Sequence, residues 1–314
     1  MMVSRKAALF ILLACLSGWS LGFLYFALGG SIRSPLYFLF SVVYMWTPAA
    51  AGGVVRRWIL REPSRRPAFA LRINWWFLAA LLGPLALVLA ATGASVLLPG
   101  VSLSSASEFV REQIEALQLP AGQVEMVQRA LEPLLPHLGT LFWAGQAITF
   151  LVAAPTINAA VALGEELGWR GLLLRELLPG GFWFSSLVIG VVWGVWHLPL
   201  ILHGHNYPDH PVAGVFMMIA LTVLLSPLFA YVRLRAGSVL AAAVAHGALN
   251  GSAGIGALLS GGSDLTVGIT GGAGLSVLLL ANLLLFVHLR GRDNQPRLEE
   301  TPSPPPASLD ALSP

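Results

Sequence analysis

A chain of 314 residues that is 56% hydrophobic and only 11% charged, with a mean hydropathy of +0.75, is excluded from the ordinary soluble domains, which carry roughly 25% charged residues. Its single cysteine, Cys15, excludes a disulfide framework and a cysteine-built metal site. Its net charge of +3 is spread between apolar runs, which speaks for membrane topology and against nucleic acid as a partner.

An apolar bilayer core about 30 Å thick takes roughly 20 residues of helix. In chain order, apolar runs between charged or Gly/Pro breaks predict spans near 7–28, 36–55, 73–98, 140–163, 182–203, 212–232, 238–259 and 267–289. The first contains Cys15 in the context LLAC, which faintly resembles a lipoprotein cleavage box. A processed signal ends near its cleavage site, whereas this apolar run continues, so an uncleaved span is expected. Between the third and fourth spans, residues 99–139 are polar, with Glu108, Glu112, Glu115, Glu125 and Glu132. Ile114, Leu117, Val124, Val127 and Leu131 give this stretch the pattern of one or two amphipathic helices on the outer surface. The segment from Gln295 to Pro314 is proline-rich, without an apolar period, and is expected to be disordered. No internal repeat suggests an inverted-repeat transporter.

The arginines orient the bundle. Of the 18 Lys and Arg, all but Arg33, Arg111 and Arg129 fall at one set of span ends: Arg5 and Lys6, the run from Arg56 to Arg72, Arg170 and Arg175, Arg233 and Arg235, and Arg290 to Arg297. The positive-inside rule makes that side cytoplasmic, with both termini inside. The expected fold is therefore all-α, a transmembrane helix bundle of about eight spans. The abundance of Arg, Ala, Gly and Leu with a single Lys points to a GC-rich bacterial genome and an inner (plasma) membrane.

Ionisable residues inside spans cost about 2.5–3.5 kcal/mol each and mark function by default. Three of the predicted spans carry them: Glu165, Glu166 and Arg170 in VALGEELGWRGL, His197 in VVWGVWHLPL, and His246 in AAAVAHGALNGS. Glu166 and Arg170 are four residues apart and share a helix face, so they can pair, while Glu165 points about 100° away. Trp193 and His197 repeat the spacing of four, as do His246 and Asn250. Pro199 cannot donate to the carbonyl of Val195, so a kink is expected beside His197. By residue count His246 lies roughly 12 Å and His197 roughly 22 Å from the basic end, with Glu165 near that end. Plainer readings exist for each residue taken alone: a solvated helix end for the glutamates, packed histidines, or a His246–Asn250 hydrogen-bonded bridge between helices. His203, His205 and His210, with Asp209, form a His-rich tract of the kind that can hold a metal.

The three constellations EELGWR (165–170), WGVWH (193–197) and HGALN (246–250) resemble the motifs of the CPBP family of intramembrane proteases, also called the CAAX protease and bacteriocin-processing or Abi family. That family's patterns are Glu-Glu-x-x-x-Arg, Phe-x-x-x-His and His-x-x-x-Asn. The first and third match fully, and the second departs at Trp193, where phenylalanine is usual. The resemblance covers about residues 140–260. It implies a cytosol-facing intramembrane chamber in which a peptide bond of a membrane-anchored, in some members lipidated, protein or peptide is hydrolysed. Glu165 would activate water, His197 would hold that water, and His246 and Asn250 would stabilise the oxyanion. Glu166, paired with Arg170, would tune Glu165. On that reading the chain divides into N-terminal transmembrane helices (1–98), an external amphipathic segment (99–139), a catalytic transmembrane core (140–292) and a cytoplasmic tail (293–314).

The resemblance leaves the cofactor open between none and one divalent metal. Two histidines and a glutamate (Glu165, His197, His246) are a familiar zinc ligand set, but the chain has no His-Glu-x-x-His motif. Two other function classes would also bury such residues: a proton-coupled transporter and a non-enzymatic membrane scaffold or immunity protein. Neither substrate identity nor oligomeric state is legible.

Overall fold

The computed structural model of the chain describes residues 4–62, 74–116 and 120–290. Of the described residues, 81% are helical. In chain order the helices are α1 (Arg5–Ala27), α2 (Leu36–Ile59), α3 (Trp75–Val96), α4 (Ala106–Ala116), α5 (Ala121–Leu131), α6 (138–177), α7 (Phe182–Trp196), α8 (Pro211–Ala236), α9 (Val239–Ser252) and α10 (Gly272–His288). Among the described residues the only sheet is the antiparallel pairing of Ser102–Leu103 with Leu259–Ser260. α1, α2, α3, α8, the long helical run containing α6 and the run begun by α9 are each long and apolar enough to cross a membrane, and α7 and α10 are shorter apolar helices. Every predicted span therefore has a helical counterpart. The expected tail (293–314), Leu117, and Arg65, Arg66, Arg72, Arg292 and Arg297 lie outside the described residues.

Helix ends follow local chemistry. Ser4, Asn74 and Ser238 each accept a hydrogen bond from a backbone N–H in the first turn of α1, α3 and α9, which satisfies a donor that the helix itself leaves orphaned. Gly237 closes α8 in the left-handed conformation (φ 68°) that residues with a Cβ disfavour. α7 stops at Trp196 and the chain resumes one turn of helix at Leu198–Leu202, so the interruption expected from Pro199 falls on His197 itself. α4 and α5 match the amphipathic pattern: Ile114 is buried, and Val124, Val127 and Leu131 are the half-buried positions of α5.

The two ends of the bundle differ. At one, Lys6 pairs with Glu62 (2.8 Å) and Glu176 (3.0 Å), tying the start of α1 to the ends of α2 and α6. Asn74 donates to the carbonyl of Ala236, Tyr231 meets His288, and Trp183 packs on Phe286, which adds the ends of α3, α7, α8 and α10. At the other end Tyr37 bonds His205, Tyr207 donates to the carbonyl of Thr270, and His210 contacts Asp264. The basic residues thus gather at the first end, as the sequence pattern requires.

Close helix contact depends on missing side chains. A Cβ on Gly190 would lie 2.5 Å from Cα of Val223, and one on Gly194 would lie 2.6 Å from Cα of Ile219. These two glycines, four apart on α7, let α8 approach until Thr222 Oγ1 donates to the carbonyl of Gly190 at 2.8 Å. Without a hydrophobic force between helices in lipid, such small-residue contacts and interhelical hydrogen bonds carry association. Gly190→Leu is expected to cost about 1–3 kcal/mol, read as a lower unfolding midpoint in detergent. Gly53→Ala, where an added Cβ meets nothing within 4 Å, should leave the midpoint in place.

Candidate active site

α6 does not end before the carboxylates. It continues through Glu165 and Glu166 to Leu177, with π-helical turns at Thr149–Asn158 and Leu167–Leu173. The sequence reading placed Glu165 near a span end. Instead it lies about 18 Å inside that end, at 1.5 Å per residue, and depth no longer separates it from His197 and His246. Both carboxylates are buried, Glu165 at 1% exposure and Glu166 at 0%, which excludes the solvated helix end. α6 reaches this position by packing glycines on α2: a Cβ on Gly164 would sit 2.6 Å from the carbonyl oxygen of Met45, and one on Gly168 would sit 2.6 Å from Cβ of Pro48.

The two carboxylates have different neighbours. Glu166 Oε1 accepts from Arg170 Nη1 at 3.0 Å and faces His246 Nδ1 at 2.9 Å. The expected Glu166–Arg170 pair is present, and His246 joins it from α9. The guanidinium is further covered by the rings of Trp193 (4.5 Å) and Phe229 (5.2 Å), contacts that favour a desolvated cation. Glu165 Oε2 instead accepts from the indole N–H of Trp193 at 2.5 Å and faces that of Trp169 at 3.4 Å. The Trp193 that departs from the family pattern is therefore a donor to Glu165, which phenylalanine could not be. Trp169, four residues after Glu165, was not singled out in the sequence, although that spacing carried the signal.

Glu165, Trp193, His197, His246 and Asn250 line one cavity of about 400 Å³, together with Asn158 and part of α2. Glu166 and Arg170 do not line it and sit behind it. His197 Nδ1 lies 2.8 Å from the carbonyl of Trp193, the tautomer with hydrogen on Nδ1, which leaves Nε2 as an acceptor. Asn250 is solvent-accessible within the cavity wall. The cavity runs from Glu165 toward Tyr37, His205, Asn206 and Thr270, which lie at the end opposite the basic residues. Toward the basic end, Trp169, Leu173, Leu174 and Leu234 are packed, each no more than 5% exposed.

The metal ligand sets considered in the sequence are not assembled. Among the described residues no three His, Cys, Asp or Glu side chains form a metal-holding group. Glu165 Oε2 and Nδ1 of both histidines already have the partners described above. The His-rich tract is likewise dispersed: His203 Nδ1 meets the carbonyl of Pro199, His205 meets Tyr37, and His210 meets Asp264.

No curated protein matches the chain. Residues 145–252 match the family model Rce1-like, described as type II CAAX prenyl endopeptidase Rce1-like, and that stretch spans all the cavity-lining motif residues from Glu165 to Asn250. Over residues 145–252 the chain, a multi-pass helical membrane protein, is thus similar to the Rce1-like type II CAAX prenyl endopeptidase family.

Proposed function

We propose that the chain is an intramembrane endopeptidase that hydrolyses a peptide bond of a membrane-associated protein or peptide, using water activated by Glu165. The observation that carries this reading is a buried carboxylate at the floor of a cavity, with one oxygen held by indole donors and the other oxygen without a hydrogen-bonded side chain. Glu165 takes a proton from water as the oxygen attacks the carbonyl carbon. His197 Nε2 orients that water. The tetrahedral oxyanion is met by the Asn250 amide and by Nε2 of His246, whose Nδ1 meets Glu166. Glu165 then returns the proton to the amine nitrogen as the C–N bond breaks. Donors preplaced where water is scarce act strongly on such developing charge. Catalysis without metal is the version these side-chain partners support.

The roles separate experimentally with purified protein and a panel of membrane-anchored and prenylated peptides. Glu165→Gln should lower kcat by at least about 100-fold, the usual range for a lost general base, while keeping the unfolding midpoint. Retained cleavage in this variant would sink the proposal. Glu166→Ala leaves a buried guanidinium uncompensated and should cost about 3–5 kcal/mol of stability, visible as a large drop in midpoint. Trp193→Phe keeps the ring and removes the donor to Glu165. A hydrogen bond to a charged group contributes about 1.5–3 kcal/mol, so kcat is expected to fall tenfold or more with KM little changed. Wild-type cleavage should persist in a divalent-metal chelator; loss that zinc restores would replace the metal-free scheme.

A further inference from the structure

A helix that breaks inside an apolar bundle leaves carbonyl groups to be satisfied, and at His197 three side chains meet that demand. Pro199 has no N–H to offer the carbonyl of Val195, and a backbone carbonyl left unpaired away from water is costly. The N–H of His197 turns to the carbonyl of Gly194 (3.1 Å), and those of Leu200 and Ile201 turn to the carbonyl of His197 (2.9 and 3.1 Å). At the end of α7 the carbonyl of Trp193 accepts from His197 Nδ1 (2.8 Å), that of Val195 from the indole N–H of Trp19 (3.1 Å), and that of Trp196 from the hydroxyl of Tyr44 (2.7 Å). Of these donors only His197 comes from the stretch that matches the family model. Trp19 is on α1 and Tyr44 is on α2.

The two outside donors converge on the residues beside His197. Tyr44 is fully buried, and its ring lies 4.3 Å from that of Trp196, whose indole meets the imidazole of His197 edge to face at 4.8 Å. Gly22 on α1 makes room for this contact: a Cβ there would lie 2.7 Å from Cβ of Pro199 and 3.3 Å from the Tyr44 ring. Turning the end of α7 would break both bonds to its neighbours. We infer that Tyr44 and Trp19 are positioning residues for His197: they hold the broken end of α7 in one orientation, which keeps Nδ1–H on the carbonyl of Trp193 and Nε2 free for the cavity. Tyr44 lines the cavity but its hydroxyl is committed to a carbonyl, and Trp19 stands outside the lining. Both therefore act through His197. The consequence for catalysis rests on the endopeptidase reading above, but the fixing of the ring does not.

Tyr44→Phe and Trp19→Phe each delete one donor and keep an aromatic ring, and two readouts on the purified full-length protein test the inference. Histidine-selective nitrogen-15 spectra at alkaline pH, with the His197 signals assigned by their loss in His197→Gln, should show a single Nδ1-protonated tautomer in wild type. Each variant should show an average of the two tautomers. With the membrane-anchored and prenylated peptides, each variant should lose kcat about tenfold or more, with KM held within about twofold, since a reacting group displaced by about 1 Å costs up to about 100-fold. If Tyr44→Phe does not fold, Trp19→Phe, at a half-buried position, carries the test alone. A lowered unfolding midpoint with one tautomer and unchanged kcat would reduce these bonds to stability and overturn the inference. A raised KM with unchanged kcat would overturn it as well, by making Tyr44 a substrate contact. Averaged tautomers in the variants of a protein that cleaves no peptide would leave the positioning standing and remove the protease reading.

Discussion

A carboxylate deep in an apolar bundle is tolerated only where its charge is compensated, and the organisation of this protein follows from how Glu166 meets that condition. Taking a single ion out of water costs several kcal/mol even after relaxation, and removing one partner of a buried pair exposes that cost. Glu166 Oε1 meets it with a cation from its own helix, Arg170, and an imidazole from α9, His246. Two helices are thereby pinned at one oxygen. The pinning requires α9 to come close, and the alanines and glycines of AAAVAHGALNG permit it: a Cβ on Gly247 would lie 2.5 Å from the carbonyl of Ala154. Electrostatic compensation and small-residue packing are one arrangement seen from two sides.

Adjacent residues so placed diverge in role because consecutive helix positions point about 100° apart. Glu166 faces the ion-pair junction, and Glu165 faces the cavity with indole donors as its neighbours. A pair of titratable groups whose surroundings differ this strongly is the pattern from which acid–base assignments are argued. The π-helical turns of α6 flank the carboxylates on both sides, and such wide turns concentrate at functional sites. The same histidine that compensates Glu166 presents its other nitrogen at the cavity, so the structural pair and the proposed oxyanion donor are coupled through one ring.

Much of this was written in short-range sequence signals. The apolar runs gave the helices, and the spacing of four gave the Glu166–Arg170 pair. Pro199 marked the break at His197, and the arginines marked one end of the bundle. What could not be read is tertiary. Nothing local says that His246 reaches across to Glu166, and an apolar run that stops at Leu163 looks like a span that stops there, although α6 continues through its charges because α8 and α9 bury them. Trp193 shows in the sequence only as a departure from phenylalanine, and nothing local says that its N–H finds Glu165. Residue counts likewise measure depth along one helix, whereas the shape of the cavity depends on how side chains of several helices fill the space.

The shape of the cavity constrains the proposed reaction. In that reaction hydrolytic water and the peptide share the cavity that Glu165 lines. A productive complex must therefore retain a water at Glu165 while the occupant fills the space toward His205 and Thr270. The neutral acceptor at His197 Nε2 suits that demand, since it lies on the cavity wall beside Trp193, whose carbonyl fixes its Nδ1. The wall that faces lipid through Phe38 adds a second constraint: an anchored chain loses little freedom in approaching along the membrane plane, whereas a soluble peptide must pay the full association cost. Geometry of this kind selects substrates by tethering before it selects them by sequence.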